Sequence, residues 1–215
     1  MRSFAVIGLG RFGSSVALKL MDAQCEVLAI DIDEKAVQRI AEDVTDAVVA
    51  DARDTDVLRK LGVDKCDCAV VSIGSDVASS IIITLNIKEL GVPQIVCKAG
   101  SEDHRKALQK VGADWALIPE KEMAVRVGQS LASTKVYDYV ELSDDYAIVE
   151  RSVPSHWADK KLRELTIREK YGLSVIAVHR GKEMLISPDA DFKMKENDLL
   201  VIMGKEKDLL RIERL

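Results

Sequence analysis

Three glycines near the amino terminus have the spacing that lets a polypeptide backbone approach phosphate groups. Gly8, Gly10 and Gly13 form a G-x-G-x-x-G motif directly after an apolar run. In such a motif the first glycine permits a tight turn, the second leaves room for a phosphate, and the third lets the next helix pack closely on the sheet. The start of that helix also presents free N–H groups and the positive end of its dipole, so the motif predicts a site for nucleotide phosphates. A glycine turn that binds nothing is the alternative.

A carboxylate follows at the separation that a nucleotide ribose requires. Asp31 ends the second apolar run, roughly 20 residues after the glycines, where its oxygens accept from both ribose hydroxyls. Its negative charge would repel a 2′-phosphate, which disfavours NADP. A second role, as the cap of a helix that starts near Asp33, is compatible with binding.

The elements that position these residues form a repeating strand–helix pattern. Strands are expected at 4–7, 26–31, 47–50, 68–73, 94–98 and 115–118, and the helices between them include 34–42, 54–61, 76–90 and 102–111. These strands are apolar throughout, which is typical of a parallel sheet covered on both faces. We predict an α/β fold with a doubly wound (Rossmann) sheet of order 3-2-1-4-5-6, whose ligand lies at the carboxyl ends of strands one and four.

The pattern changes from Pro119, where a helix is expected to run to about Ser133. Beyond it we expect two strands within 137–153, a helix from Leu162 to Gly172, a hairpin over 174–186, a strand at 199–203 and a helix at 205–213. We therefore predict a nucleotide-binding domain over 1–133 and a small α+β domain over 134–215.

Other residues are expected at the same edge of the sheet. Asp51 and Ala52 follow strand three, beside the adenine edge, although Asp51 is also a candidate helix cap. Lys98 ends strand five and either meets a phosphate or is an ordinary surface lysine. Arg11 lies in the phosphate loop, where a guanidinium pairs well with phosphate oxygens, unless it is simply solvated. The full candidate set is Gly8, Gly10, Arg11, Phe12, Gly13, Asp31, Ile32, Asp51, Ala52, Ser72, Ile73, Gly74 and Lys98.

The predicted helix at 76–90 is apolar around more than half its circumference, so it must be buried on a second side. Our first interpretation is that another copy of the chain covers this second side, and cover by the C-terminal part is the alternative.

The four cysteines lie in or beside apolar runs, and Cys66-Asp67-Cys68 is not a zinc spacing, so we expect buried thiols.

Composition excludes some classes of partner. With a net charge of -5 and 4% aromatic residues, the chain has no basic stripe interleaved with aromatics, and nucleic acid is not an expected partner. No apolar stretch approaches the roughly 20 residues of a bilayer span. The first strand starts almost at once, so no signal peptide is expected and a cytoplasmic location is predicted.

Several motifs together resemble one family. The glycine motif with Asp31, the Asp51-Ala52 step, Ile118-Pro119-Glu120, Leu162-Arg163-Glu164-Leu165 and Asn197-Asp198-Leu199-Leu200-Val201 occur in the order typical of regulatory RCK subunits of Ktr/Trk-type potassium uptake systems. The chain resembles these subunits over essentially its whole length, with a TrkA-N lobe followed by a TrkA-C lobe.

The resemblance implies a cytoplasmic homo-oligomer, usually an octameric ring built from dimers. It sits at the inner face of the cell membrane beneath an integral membrane potassium channel subunit. ATP favours the conducting form and ADP the resting form, while NAD(H) occupies the same site in some members. The resemblance assigns Arg11 to the γ-phosphate of ATP and Glu120 to a cation, Mg²⁺ or Ca²⁺, at an inter-subunit site. Glu120 as a simple first-turn acid of its helix is the alternative.

The resemblance also implies cyclic di-AMP at the seam between two C-terminal lobes. The candidates are Ile167, Arg168, Val175 and Ile176, with His179 beside them, and a core hairpin next to an exposed arginine is the alternative.

The competing functions are a small NAD-dependent oxidoreductase and a redox sensor. An oxidoreductase needs an acid/base set beside the nicotinamide, which the C-terminal lobe does not display. A redox sensor needs exposed cysteines.

Overall fold

A parallel six-stranded sheet forms the centre of the first unit, Met1–Pro119, in the computed structural model, which describes residues 1–132, 136–143 and 145–213. Its strands are β1 (Ser3–Ile7), β2 (Glu26–Asp31), β3 (Asp46–Val49), β4 (Cys68–Val71), β5 (Ile95–Lys98) and β6 (Trp115–Leu117). The order is β3-β2-β1-β4-β5-β6 and each neighbouring pair is parallel. The predicted doubly wound sheet and its strand order are confirmed.

Five helices connect these strands, each starting at the carboxyl edge of the sheet. They are α1 (Arg11–Asp22), α2 (Glu34–Gln38), α3 (Thr55–Lys60), α4 (Val77–Glu89) and α5 (Glu102–Lys110), with a 3₁₀ turn at Val63–Lys65. Side chains cap four of them, by accepting from backbone N–H groups: Asp33, Asp54, Asp76 and Ser101. Helix α1 starts after Gly10 and has no side-chain cap, so its first N–H groups are left for another acceptor.

The sheet is buried on both faces. Adjacent residues Val6 and Ile7 point to opposite faces, and both are at most 2% exposed, in two separate apolar clusters. This explains why the strands read as continuous apolar runs. Strand β3 is different because it lies at the edge of the sheet, where Val49 is 49% exposed. The expectation of a buried third strand is therefore wrong.

The second unit, Glu120–Leu215, contains an antiparallel five-stranded sheet of order β10-β9-β11-β8-β7. Its elements are β7 (Val136–Ser143), β8 (Tyr146–Ser152), α7 (Leu162–Leu165), α8 (Ile167–Tyr171), β9 (Ser174–Arg180), β10 (Glu183–Ile186), β11 (Leu199–Lys205) and α9 (Glu206–Glu213), preceded by α6 (Pro119–Ala132) at the boundary, with a 3₁₀ turn at Ser155–Trp157. Trp157, Leu173, Met194 and Leu200 fill its core. The small α+β architecture expected here is observed.

An ion pair ties the hairpin of the second unit to its last strand. Arg180 Nε and Nη2 donate to Asp198 Oδ1 and Oδ2 at 2.7 and 2.6 Å, and Asp198 is 1% exposed. Burial alone would raise the pKa of Asp198, but the hydrogen bonds from Arg180 and from the Lys195 backbone outweigh it, so the pKa is lowered.

Two helices differ from the sequence-based expectation. The predicted helix from Leu162 to Gly172 is broken at Thr166, which has a left-handed φ of 45° and separates α7 from α8. The helix expected over 34–42 ends at Gln38 and continues as three-residue turns, with Ile40 N–H donating to the Val37 carbonyl. In both places the tertiary structure overrides a pattern that remains apolar at helical spacing.

Candidate nucleotide-binding site

A cleft of about 390 Å³ lies at the carboxyl edge of the first sheet, where the order of strands reverses between β1 and β4. Most of the predicted cofactor residues line it: Gly8, Gly10, Asp31, Ile32, Asp51, Ala52, Ser72, Ile73 and Gly74. Arg53, Ser75, Asp76, Ser79 and Ile83 also line it. Of the predicted set, Arg11, Phe12, Gly13 and Lys98 are not among its lining residues.

The three glycines have different geometric roles. Gly8 has a φ of +91°, a left-handed conformation that favours glycine. A Cβ on Gly13 would collide with the Gly8 carbonyl oxygen, so α1 approaches the loop as closely as it does only because Gly13 lacks a side chain. Among the described residues other than its two chain neighbours, none has an atom within 4 Å of the position that a Cβ on Gly10 would take. Gly10 therefore borders open space, as a residue beside a phosphate must.

Asp31 joins the glycine loop to the start of α2. Its Oδ2 accepts from the Leu9 backbone N–H at 2.6 Å, and its Oδ1 accepts from the Asp33 N–H at 2.9 Å. The cap of α2 is Asp33 itself, so the alternative that Asp31 caps this helix is wrong. Each Asp31 oxygen retains a second lone pair, which leaves the carboxylate able to accept from the hydroxyls of a ribose.

Asp51 is paired with an arginine that sequence reasoning missed. Arg53 Nε donates to both Asp51 oxygens at 2.9 and 3.1 Å, and Nη2 donates to Oδ2 at 2.6 Å. These hydrogen bonds from Arg53 lower the pKa of Asp51 and raise that of Arg53. Helix α3 is capped by Asp54, so Asp51 is not a helix cap. The signal available in the sequence was a cation two residues after the predicted acid.

Lys98 and Phe12 lie next to the cleft, beside Gly74. The Lys98 Nζ is 5.9 Å from the centre of the Phe12 ring, and its Cε is 3.3 Å from where a Cβ of Gly74 would stand. Arg11 is exposed at the first position of α1. These side chains are therefore near the start of α1, at the glycine-loop end of the cleft, without forming its wall.

The loop after β5 packs against the loop after β4. A Cβ on Gly100 would lie 2.6 Å from the Gly74 carbonyl oxygen, and the Gly100 N–H donates to His104 Nδ1 at 3.1 Å. His104 is 3% exposed, and burial lowers its pKa. His104 is therefore a buried acceptor that holds the start of this loop.

The second unit has a pocket of about 660 Å³ that includes three of the four predicted cyclic di-AMP residues, Ile167, Arg168 and Val175. Arg163, Glu169 and Asp189 also line it. Ile176 does not line this pocket, and His179 Nδ1 lies 2.7 Å from Glu150 Oε1 instead. Within one chain, Ile176 and His179 therefore lie outside this pocket, and the assignment of the four residues to a seam between two lobes stays a prediction.

The cysteines lie in largely buried positions. Cys66, Cys68 and Cys97 are buried and Cys25 is half-buried, and all four are free thiols. Burial raises the pKa of Cys68 and of Cys97 to about 11, so both are protonated at neutral pH and react poorly. Within the described part of the chain, no group of three or more His, Cys, Asp or Glu is arranged to hold a metal ion.

Comparison with known proteins identifies the family. Residues 4–119 match the TrkA-N domain and residues 147–215 match the TrkA-C domain. The chain is 42% identical to Ktr system potassium uptake protein C of Bacillus subtilis, over 99% of this chain and 96% of that protein. This chain belongs to the Ktr potassium uptake family. Ktr system potassium uptake protein A of the same organism is 41% identical over the same shares of the two chains.

Solved structures agree with this assignment. The RCK domain of the GsuK channel is 26% identical, with a TM-score of 0.55 over 99% of this Ktr-family chain. The GsuK channel itself aligns with a TM-score of 0.71 at 21% identity, which shows a common fold. The chain spans less than half of these two solved chains, 46% and 39%. Among the described helices of this family member, none combines the length and apolar character of a membrane span.

Proposed function

We propose that this chain is a nucleotide-binding regulatory subunit that gates a membrane potassium channel or transporter. The observation that carries the proposal is the cleft at the carboxyl edge of the first sheet. It combines the open side of Gly10 with the carboxylates of Asp31 and Asp51, which we assign to the ribose and the base, in a chain that matches a Ktr uptake protein over 99% of its length.

The ligand that we propose is ATP or ADP, with NAD(H) as a second candidate. All of them share an adenosine that Asp31 and the loop after β3 are able to contact. Lys98 and Arg11 lie toward the start of α1, where phosphates would extend. A third phosphate benefits from a side-chain cation more than the inner phosphates do, because backbone N–H groups already serve these.

Two further ligands belong to the proposal. Glu120, in the first turn of α6, would supply one carboxylate oxygen to Mg²⁺ or Ca²⁺, with nucleotide phosphates as the remaining ligands. Cyclic di-AMP would occupy the pocket of the second unit, where Arg163 and Arg168 suit its phosphates and Ile167 and Val175 suit its purines. Two copies of the pocket would face each other in a dimer.

We further propose that the functional lobes are 1–133 and 134–215 and that the chain forms a homo-oligomer, from dimers up to an octameric ring. Helix α4 supports the homo-oligomer, because its side away from the core exposes the apolar residues Val77, Ile82 and Leu85 to between 42% and 45%. A ring of such subunits would lie in the cytoplasm against its membrane partner.

The decisive experiment combines titration with flux. The purified chain is titrated calorimetrically with ATP, ADP, NADH and cyclic di-AMP, and potassium flux is then measured in liposomes that carry the channel subunit. ATP and ADP should both bind, and ATP should raise flux above the ADP level. Binding of neither nucleotide, or equal flux with both, would contradict the proposal.

A regulatory role also predicts the absence of turnover. NADH should not be oxidised with any member of a panel of carbonyl substrates. The ionisable residues that line the cleft are three aspartates and one arginine, and no histidine, lysine, tyrosine or cysteine is among the lining residues to serve as the proton donor of a dehydrogenase. Robust hydride transfer would favour the oxidoreductase alternative.

A further inference from the structure

The loop after β3 lies at the base end of the cleft. In the sheet, β1 carries the glycine loop, β2 lies next to it and ends at Asp31, and β3 lies beyond β2. A nucleotide whose phosphates lie on the glycine loop and whose ribose meets Asp31 therefore directs its base toward Asp51 and Arg53. Both residues line the cleft.

The Asp51 carboxylate is largely occupied by one arginine. Its Oδ1 accepts from the Arg53 backbone N–H at 3.0 Å and from Arg53 Nε at 2.9 Å, and Oδ2 accepts from Nη2 at 2.6 Å. Nε also lies 3.1 Å from Oδ2, but its single hydrogen is shared between the two oxygens along the edge that the guanidinium covers. Of the roughly four lone-pair sites of a carboxylate, the outer one on Oδ2, away from that edge, is left. Asp51 is therefore left as an acceptor for a single further donor.

The number of free acceptor sites matters because purines differ in the donors that they present. Guanine presents two parallel donors, N1–H and the N2 amino group, which match the two oxygens of a free carboxylate. Adenine presents one amino group, at N6, and an acceptor at N1. A carboxylate whose two-oxygen edge is already covered by a guanidinium suits adenine and fails to satisfy guanine.

The arginine is fixed in this position from three sides. Asn86 on α4 donates to the Arg53 carbonyl at 2.8 Å, and the Arg53 N–H is held by Asp51 itself. The negative charge of Asp76, also in the cleft wall, further favours the charged guanidinium. The pair is thus preorganised before any ligand arrives, rather than assembled by it.

We propose that Arg53 is a specificity-determining residue of this site, which makes Asp51 select adenine over guanine by covering its two-oxygen edge. The inference rests on the proposed nucleotide-binding function. Arg53 is exposed, and its ion pair with Asp51 resembles an ordinary surface ion pair. The inference gives this arginine a role in selecting the base that Asp51 binds.

The test compares ATP and GTP affinities of the full-length chain by calorimetry. In Arg53→Leu, GTP affinity should rise relative to ATP, so that the ATP/GTP affinity ratio falls about ten-fold, as for one paired base contact. Arg53→Lys should lower the ratio by a smaller factor, because an ammonium makes one point contact and cannot span both oxygens. Adding Asp51→Asn to Arg53→Leu should abolish the gain for GTP, since an amide offers only one acceptor oxygen.

Arg59→Leu is the matched control. Arg59 is also exposed and pairs with an aspartate, Asp56, at 3.1 Å, but it does not line the cleft. It should leave the ratio unchanged. An unchanged ratio in both Arg53 variants, or equal losses of ATP and GTP, would overturn the inference while leaving the proposed function intact. Failure of the proposed function would be seen separately, as no adenine nucleotide binding by the unmodified chain, and would overturn both.

Discussion

Asp31 offers the sharpest test of the site, because it is expected to act on the ligand and on the loop at once. In Asp31→Ala the ribose loses a charged acceptor, and hydrogen bonds to charged groups contribute about 1.5–3 kcal/mol. Affinity for ATP, ADP and NADH should therefore fall about ten- to a hundred-fold, by a similar factor for each, because all three present the same adenosine.

The same substitution should lower the free energy of unfolding. The Leu9 N–H, which donates to Asp31 Oδ2 at 2.6 Å, loses its acceptor, and Leu9 is only 1% exposed. A buried donor left unsatisfied costs about 1–3 kcal/mol. Urea denaturation of the unliganded chain measures the loss of stability, and calorimetric titration of the folded variant measures the loss of nucleotide affinity.

Asp33→Ala is the matched control, since it removes the same charge two residues away. Asp33 caps α2 by accepting from the Lys35 N–H at 3.0 Å and does not line the cleft. It should cost about 1 kcal/mol of stability, as for other lost caps, with nucleotide affinity unchanged. The reasoning is refuted if Asp31→Ala binds all three nucleotides normally, or if its loss is confined to one of them.

Four other predictions follow from the same structure. Gly10→Ala should unfold at the same urea concentration as the unmodified chain, because its Cβ would meet no atom of the described residues beyond its two chain neighbours within 4 Å. It should nevertheless bind ATP about ten-fold more weakly, because overpacking against a phosphate costs about 1–3 kcal/mol. Ile82→Glu should give a smaller folded species by light scattering, since Ile82 is 45% exposed on the apolar side of α4 and a charge there opposes burial between copies. Arg11→Ala should weaken ATP about ten- to a hundred-fold and ADP much less in nucleotide titrations, if its guanidinium pairs with the third phosphate. Because the pKa of Asp198 is lowered in the folded chain, its stabilising contribution should be present above about pH 4, the ordinary pKa of a carboxyl, and lost as the pH falls through its pKa in the folded state. The free energy of unfolding in urea, measured from pH 6 down to pH 3, should therefore depend less on pH in Asp198→Asn.

Each of these has an outcome that would contradict it. Normal ATP affinity in Gly10→Ala would mean that the phosphates lie elsewhere. An Ile82→Glu chain that is folded and of unchanged mass would remove α4 from the assembly contact. Equal losses of ATP and ADP in Arg11→Ala would separate this arginine from the third phosphate. An acid-stability profile unaffected by Asp198→Asn would assign acid sensitivity to other carboxylates.

The fold was predictable because few arrangements satisfy its constraints. Six short apolar runs joined by helical segments require a covered parallel sheet, and right-handed crossovers leave few strand orders. The glycine motif then fixed the position of the switch point. Gly13 illustrates how local the constraint is, because its close approach to Gly8 follows from the spacing alone.

Which side of α4 faces the sheet was not predictable. Its apolar residues surround the helix, and the structure buries the polar Ser80 and Thr84 completely while it exposes Ile82 and Leu85. The sequence therefore did not separate Ile82 from its neighbour Ile83, which is 2% exposed and belongs to the core. A helix with no amphipathic pattern carries no information about which side faces the sheet.

Arg53 and Thr166 were missed for a different reason. An arginine that folds back onto an acid two residues earlier depends on loop conformation, and no periodicity reports it. The left-handed Thr166 is equally invisible, because the residues on both sides of it keep helical spacing. Features made by one unusual backbone or side-chain conformation lie beyond what spacing encodes.

Helix α4 serves two surfaces at once. Ser79 and Ile83 line the cleft and Asn86 holds the Arg53 carbonyl, while Ile82 and Leu85 face outward on the same helix. If copies of the chain meet through that outward side, nucleotide binding and association share one rigid element, and thermodynamic reciprocity then makes each strengthen or weaken the other by the same factor. Nucleotide affinity would then vary with protein concentration, so a single dissociation constant would not describe this site.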